Sequence, residues 1–281
     1  MCGILGGRWG RDKACPRQTV EDSLRAMAYR GPDGSGILIE SVGSSEVCLA
    51  HNRLAILDLT DNALQPMHSG DGSLSIVFNG EIYNYVELRE ELLLYGFKFS
   101  TDSDTEVLLY AWRHWGHACL EKLTGMFAFA VLDRKISKLT CVRDAFGVKP
   151  LFYKCVGEEF IFASEIGALR KLSGQSDSLN VQRAYDYLVH GDYDSGDQTF
   201  FTDILSLKPG HLLSLSLRDG VVSEPELWWR PSIIERPSVT FADAADELRE
   251  LFLKSVRLHM RSDVPIAAAL SGGIDSSAIV C

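Results

Sequence analysis

The chain has 281 residues, of which 46% are hydrophobic and 23% are charged, and its formal net charge is -10 at neutral pH. This composition is typical of a soluble globular protein with one or two domains. The acidic balance argues against nucleic acid and membrane surfaces as partners, and the sequence contains neither a membrane-spanning apolar stretch nor a signal peptide.

Short apolar or alternating segments bounded by Gly, Asp or Asn make the first part of the chain β-rich. The predicted strands are residues 4–9, 36–39, 47–54, 74–78, 127–133, 138–142, 151–155, 160–163 and 211–217. The predicted helices are residues 20–29, 85–95, 105–115 and 181–189, with Asp104 as the N-cap of the third. Strands interspersed with helices predict an α+β fold in which helices cover sheets.

The composition changes over residues 221–240, where three prolines stand among polar residues and predict a linker. Beyond it, residues 241–260 have the pattern of an amphipathic helix, and residues 266–270 that of a short buried strand. The sequence therefore predicts a domain at residues 2–220, a linker at 221–240 and the beginning of a second domain at 241–281.

Cys2 directly follows the initiator methionine. If Met1 is removed, Cys2 carries both a thiol and an α-amino group whose pKa of about 7.7–8.0 lets it act as the general base for that thiol. The alternative is an incidental buried thiol, which is how free cysteines usually occur. The seven cysteines include no Cys-x-x-Cys pair, which predicts free thiols in a reducing cytoplasm and no zinc site.

Six short motifs occur in a fixed order along the chain. They are Met-Cys-Gly-Ile at 1–4, Arg-Gly-Pro-Asp at 30–33, Asn-Gly-Glu-Ile-Tyr-Asn at 79–84, Gly-Met-Phe-Ala at 125–128, Arg-Asp-Ala-Phe-Gly-Val-Lys-Pro-Leu at 143–151 and Phe-Ala-Ser-Glu at 162–165. Together they resemble the class II glutamine amidotransferases, most closely the glutamine-dependent asparagine synthetase family. The resemblance implies a four-layer αββα N-terminal nucleophile hydrolase fold, followed by the start of an α/β PP-loop domain.

The resemblance also implies roles for individual residues in glutamine hydrolysis. Cys2 would attack the carboxamide of glutamine, while the Asn79 side chain and the Gly80 N–H would stabilise the oxyanion. Arg53 would bind the α-carboxylate, and Glu81 and Asp104 the α-ammonium. Residues 53–57 would line the pocket, and these include Leu54, Ala55, Ile56 and Leu57. No metal or cofactor is expected at this site.

The segment Ser-Gly-Gly-Ile-Asp-Ser-Ser at 271–277 follows the last predicted strand. It is not a Walker A loop, but it resembles the PP-loop of ATP pyrophosphatases, whereas a bare Ser-Gly-Gly is also compatible with a flexible linker. The resemblance implies that ATP and Mg²⁺ serve a synthetase domain. The ATP-binding residues that it implies are Leu270, Ser271, Gly272, Gly273, Asp275 and Ser276.

The chain ends a few residues after this segment, so the glutaminase half-reaction alone is expected from it. In the family, the released ammonia serves the ATP-dependent amidation of aspartate. Three alternatives stay open: amidation of another carboxylate such as a sugar acid, a non-catalytic remnant that binds glutamine or a partner protein, and a synthetase half supplied by another chain. A homodimer is a further candidate assembly.

Overall fold

The computed structural model describes residues 1–10, 13–174, 178–193 and 195–281. Two antiparallel six-stranded sheets form its centre. The first sheet contains, in spatial order, β10 (Leu205–Ser206), β8 (Phe152–Val156), β9 (Glu159–Ala163), β1 (Gly3–Trp9), β3 (Ser45–Arg53) and β2 (Gly34–Val42). The second contains β12 (Glu226–Leu227), β11 (His211–Ser216), β7 (Lys138–Arg143), β6 (Gly125–Asp133), β5 (Leu74–Ile82) and β4 (Met67–His68).

The alternation of side chains along the strands builds a separate core on each face of each sheet. Ile4 of β1 and Val77 of β5 belong to the core between the two sheets. Their chain neighbours Leu5 and Phe78 point the other way, into cores beneath the helices. Both sheets are therefore buried on two faces, which requires a helical layer outside each of them.

Helices supply these outer layers. The first sheet is covered by α1 (Arg17–Ala26) and α4 (Ile166–Ser173), and the second by α2 (Tyr85–Leu94) and α3 (Asp104–Trp115). The other helices are α5 (Val181–His190), α6 (Phe241–His259) and α7 (Ile274–Val280). The predicted α+β class and αββα order of layers are thus confirmed.

Most predicted elements form, and three differences have physical causes. The predicted strand at 74–78 continues to Ile82, because β6 pairs with it as far as Gly125. The helix α4 was not predicted, because the segment has only eight residues; its buried residues Ala168, Leu169 and Leu172 have helical spacing and pack against the first sheet, which stabilises the helix. The prediction of Asp104 as N-cap is wrong: the Ser103 hydroxyl accepts the Glu106 N–H, and Asp104 begins the helix.

The prediction of a strand over residues 266–270 is wrong for the described structure. No described segment pairs with these residues, and an isolated strand leaves its backbone hydrogen bonds unmade. The domain division stays a prediction. Within the predicted linker, β12 pairs with β11, and the Trp228 indole stacks on Phe127 with ring centroids 6.0 Å apart.

Candidate functional site

The register of the first sheet fixes the position of Cys2. Gly3 pairs with Asn52 in an antiparallel register, so Cys2, the residue before β1, comes opposite Arg53 at the end of β3. The Cys2 Sγ atom accepts the Leu54 N–H at 3.3 Å and lies 3.6 Å from the Leu54 carbonyl oxygen. The thiol is therefore held at the edge of the sheet, at the start of the loop of residues 54–60.

Two motifs in the sequence hold the backbone around Cys2. The Arg30 Nε atom donates to the Cys2 carbonyl oxygen at 2.9 Å, and its guanidinium forms an ion pair with Glu165. The Ser164 hydroxyl accepts the Ile4 N–H at 3.0 Å. The motifs at 30–33 and 162–165 thus have a positioning role, which the sequence did not assign to them.

The end of β5 brings Asn79 and Gly80 to the same end of the sandwich. Asn79 is fully buried, and no described residue forms a hydrogen bond with either atom of its side-chain amide. A buried amide without a partner is costly unless a ligand completes it. At Gly80, a Cβ atom would lie 2.3 Å from the Met126 carbonyl oxygen, so only glycine fits beside β6.

The Arg53 guanidinium is buried beneath the loop of residues 54–60. Nη1 donates to the Thr60 carbonyl oxygen at 2.7 Å, and Nη2 donates to the carbonyl oxygens of Leu57, at 3.4 Å, and Asp58. The cation therefore shapes this loop as well as facing the cleft. Its predicted contact with a carboxylate stays a prediction.

Two carboxylates and one ammonium group lie together in the cleft. Burial and the nearby charge of Asp104 raise the pKa of Glu81, and burial raises the pKa of Asp104 although its carboxylate accepts the Ile82 N–H at 2.9 Å. Burial lowers the pKa of Lys149, against the opposing charge of Glu81. Burial also raises the pKa of the Cys2 thiol, and the Leu54 N–H opposes this shift.

These groups surround a single cleft of about 310 Å³. Nine residues of the predicted glutamine site line it: Cys2, Arg53, Leu54, Ile56, Leu57, Asn79, Gly80, Glu81 and Asp104. Ala55 does not line the cleft, and its N–H is bound by the Asp33 carboxylate at 2.8 Å. The volume is at the lower end of the range for ligand pockets, which suits a ligand as small as an amino acid.

Sequence reasoning did not assign several of the residues that line this cleft. Met126 and Lys149 line it, and they belong to the motifs at 125–128 and 143–151, to which the sequence analysis assigned no role in the site. Six further lining residues come from the carboxyl-terminal part of the chain: His259, Arg261, Ser262, Val264, Pro265 and Ile266. No motif pointed to these carboxyl-terminal residues, because they are distant along the chain from the motifs that identify the site.

The predicted ATP segment lies apart from this cleft. Ser271 and Ser276 hydroxyls are 3.0 Å apart, and Gly272 has a φ of 81°, which favours glycine. All six predicted residues are at least partly exposed to solvent. Small residues, backbone N–H groups and serine hydroxyls around the start of α7 fit phosphate oxygens, but no described residue encloses the segment.

Across the described ranges, no group of three or more His, Cys, Asp or Glu side chains has the geometry to hold a metal ion. A separate search of the described helices finds none with the length and apolarity needed to cross a membrane.

Comparison with known proteins gives two matches to family models. A model described as a glutamine amidotransferase domain matches residues 1–229, and one described as asparagine synthase matches residues 247–281. Together they cover the two parts of the chain on either side of residues 230–246. The cleft is lined by residues from both matched segments.

Curated proteins that are similar to this chain are named asparagine synthetases. The chain is 35% identical to asparagine synthetase (glutamine-hydrolyzing) 3 of Bacillus subtilis, over 99% of this chain and 44% of that protein. It is 33% identical to putative asparagine synthetase (glutamine-hydrolyzing) 2 of Methanocaldococcus jannaschii, over 100% of this chain and 56% of that protein. The chain therefore spans about half the length of these relatives.

A solved structure supports the fold independently. Glutamine phosphoribosylpyrophosphate amidotransferase from B. subtilis, solved with ADP and GMP, matches with a TM-score of 0.62 over 82% of this chain and 50% of that chain. The sequence identity is 20%, so this likeness shows the fold alone.

Proposed function

Because the chain belongs to the glutamine amidotransferase domain family, in its asparagine synthase type, we propose that Cys2 hydrolyses glutamine to glutamate and ammonia. One observation carries this proposal. The buried side-chain amide of Asn79 has no partner among the described residues, and it lies in the same cleft as the Cys2 thiol. An amide held ready in this way is the donor that a developing oxyanion requires.

The proposed reaction begins with proton transfer inside Cys2. Burial lowers the pKa of the terminal amine at Met1, and after removal of Met1 the amine of Cys2 would lie closer to the cleft. Because burial raises the pKa of the thiol, little thiolate is present at rest, and the amine must take the thiol proton as sulfur attacks.

Attack forms a C–S bond to the carboxamide carbon and places negative charge on its oxygen, which the Asn79 amide and the Gly80 N–H would stabilise. The ammonium of Cys2 then returns the proton to the leaving nitrogen. Ammonia departs and a thioester remains. Water hydrolyses the thioester to glutamate and restores the thiol, so that atoms and protons balance over the cycle.

Recognition of free glutamine requires groups for both of its charges. We propose that Arg53 binds the α-carboxylate and that Glu81 and Asp104 bind the α-ammonium. The raised pKa values of these two acids reflect burial and, for Glu81, the negative charge of its neighbour, and a ligand ammonium would relieve this repulsion.

The second part of the proposal concerns the use of ammonia. ATP would be bound through the hydroxyls of Ser271 and Ser276 and the N–H groups of Gly272 and Gly273, with Leu270 and Asp275 beside them. ATP together with Mg²⁺ activates a carboxylate for attack by ammonia. Aspartate is the proposed acceptor, because the curated relatives are named asparagine synthetases.

We further propose that the protein is cytoplasmic, is active as a homodimer and has no nucleic acid or membrane partner, in keeping with its net charge of -10.

The glutaminase proposal is tested with the chain that carries no substitution and from which Met1 has been removed, here called the unmodified chain. We expect stoichiometric release of ammonia and glutamate from glutamine, and little from asparagine, whose carboxamide is one methylene shorter. An alkylating glutamine analogue, 6-diazo-5-oxonorleucine, should modify the amino-terminal peptide at Cys2, as read by mass spectrometry. Absence of both ammonia and the Cys2 adduct would refute the proposed function.

The substitution Glu81→Gln is expected to have opposite effects on stability and on substrate binding. The pKa of Glu81 in the folded chain lies above its ordinary value of 4.5, so the folded state holds the proton more tightly than the unfolded state does. Ionisation therefore destabilises the fold as the pH rises from about 4.5 through the raised pKa. At pH 8 the variant should melt about 2–4 °C higher than the unmodified chain, and the difference should disappear near pH 4.

Loss of the negative charge at the same position should raise the KM for glutamine at pH 8 by about tenfold. Glu90→Gln, on the exposed face of α2, is the matched control and should change neither quantity. A variant with a wild-type KM would show that Glu81 does not bind the substrate ammonium.

A further inference from the structure

The segment of residues 259–266, here called the strap, crosses the mouth of the cleft. It follows α6 and lies in the part of the chain that matches the asparagine synthase model. Its residues line the same cleft as Cys2 and Asn79, although more than 170 positions separate them from either residue along the chain. The cleft is therefore closed on one side by residues from outside the amidotransferase match.

Contacts on one side attach the strap to the start of α2. Arg261 forms two hydrogen bonds with the Glu87 carboxylate, both at 2.6 Å, and a third with the Tyr83 carbonyl oxygen at 2.6 Å. The His259 ring lies against the Tyr83 ring, with centroids 3.8 Å apart. A bidentate pair of this kind fixes direction as well as distance, so the strap has a defined course.

Asp263 attaches the strap to the loop of residues 54–60 on the other side. Its N–H donates to the Ile56 carbonyl oxygen at 3.0 Å, and its carboxylate accepts the Asp58 N–H at 2.7 Å. These two contacts span the segment of that loop whose carbonyl oxygens receive the Arg53 guanidinium. The loop is thus bound by two residues: Arg53 binds its carbonyl oxygens, and Asp263 binds the Asp58 N–H and the Ile56 carbonyl oxygen.

The residue that Asp263 holds is in an unfavourable backbone conformation. Asp58 has a φ of 50°, in the left-handed region that non-glycine residues rarely adopt. Its own carboxylate accepts the N–H groups of Thr60 and Asp102, which compensates in part. An external carboxylate on the Asp58 N–H adds a charge-assisted hydrogen bond that keeps the loop in this conformation.

We propose that Asp263 is a positioning residue for glutamine: it holds the loop of residues 54–60 so that Arg53 faces the α-carboxylate of the substrate. The inference rests on the proposed glutaminase function and adds to it a contact from the segment that matches the asparagine synthase model. Substrate affinity then depends on Asp263, whereas the reactivity of the Cys2 thiol does not, because Cys2 is bound to the loop only at Leu54.

Hydrogen exchange in Asp263→Ala tests the contact itself, and this readout does not depend on catalysis. The peptide that contains the Asp58 amide should exchange at least about tenfold faster than in the unmodified chain, because its acceptor is gone. Asp263→Asn keeps an oxygen that accepts the same N–H, and should restore most of the protection. Equal exchange in all three proteins would overturn the proposal.

The kinetic consequence is a split between KM and kcat. Asp263→Ala should raise the KM for glutamine about tenfold and leave kcat within about twofold, while alkylation of Cys2 by iodoacetamide, followed on the amino-terminal peptide, keeps its rate. Asp246→Ala, an exposed acid on α6, is the matched control. A wild-type KM in Asp263→Ala would refute the positioning role. An unmodified chain that releases no ammonia would refute the proposed function instead, and the exchange measurement would still decide whether Asp263 holds the loop.

Discussion

Replacement of Cys2 by alanine is expected to lower glutamine hydrolysis by a factor of about 10⁴ or more. Among the described residues that line the cleft, Cys2 alone carries a thiol. The other sulfur atoms there are the thioethers of Met1 and Met126, which cannot form a thioester. Because the side chain is small and lies at the edge of the sheet, the fold should be retained. Ammonia release under saturating glutamine is the measurement.

A matched control separates this effect from general thiol chemistry. Cys155 is a free cysteine that is exposed to solvent, and it lies outside the cleft. Cys155→Ala should keep full activity and full labelling of the amino-terminal peptide. Comparable ammonia release by Cys2→Ala and the unmodified chain would show that the thiol is not the nucleophile.

Asn79→Ala is expected to lower kcat by about 10²–10³-fold with little change in KM. The reason is that the amide would bind the oxyanion, which is present in the transition state and not in bound glutamine. The melting temperature should not fall, because this amide is buried without a hydrogen-bond partner among the described residues, and its removal relieves that cost.

Asn84→Ala is the control for this substitution. The Asn84 side chain donates to the Lys122 carbonyl oxygen at 2.9 Å and accepts the Thr124 N–H at 2.8 Å, so it ties two loops together outside the cleft. Its loss should lower the melting temperature and leave kcat unchanged. If Asn79→Ala keeps its kcat, the oxyanion must be stabilised by other donors.

Segments that match two different family models line one cleft. The family match for glutamine hydrolysis ends at residue 229, yet the strap of residues 259–266 forms one wall of the site. Asp263, in the segment that matches the asparagine synthase model, forms hydrogen bonds with Ile56 and Asp58 of the loop of residues 54–60, and these contacts would let a conformational change in that segment reach the loop. Coupling of this kind needs a contiguous physical connection, which these residues supply.

The sequence by itself predicted most of the local structure of the chain and a hypothetical site for glutamine hydrolysis. Alternation and turn residues predicted nine of the strands, and ordered motifs placed Cys2, Arg53, Asn79, Glu81 and Asp104 in one hypothetical site. The spacing of apolar residues, with a period of two in strands and 3.6 in helices, is a local property of the sequence, and so is the presence of a thiol or an amide at a given position. Both can be read without knowledge of the fold.

Only the tertiary structure decided which distant segments meet. The length of β5 depends on its pairing with β6, the short helix α4 forms because a sheet buries it, and residues 266–270 form no strand because no described segment pairs with them. The same reason hid Lys149 and Asp263 from sequence analysis. The positions of these two residues in or beside the cleft depend on neighbours that are far away along the chain and that only the packing brings together.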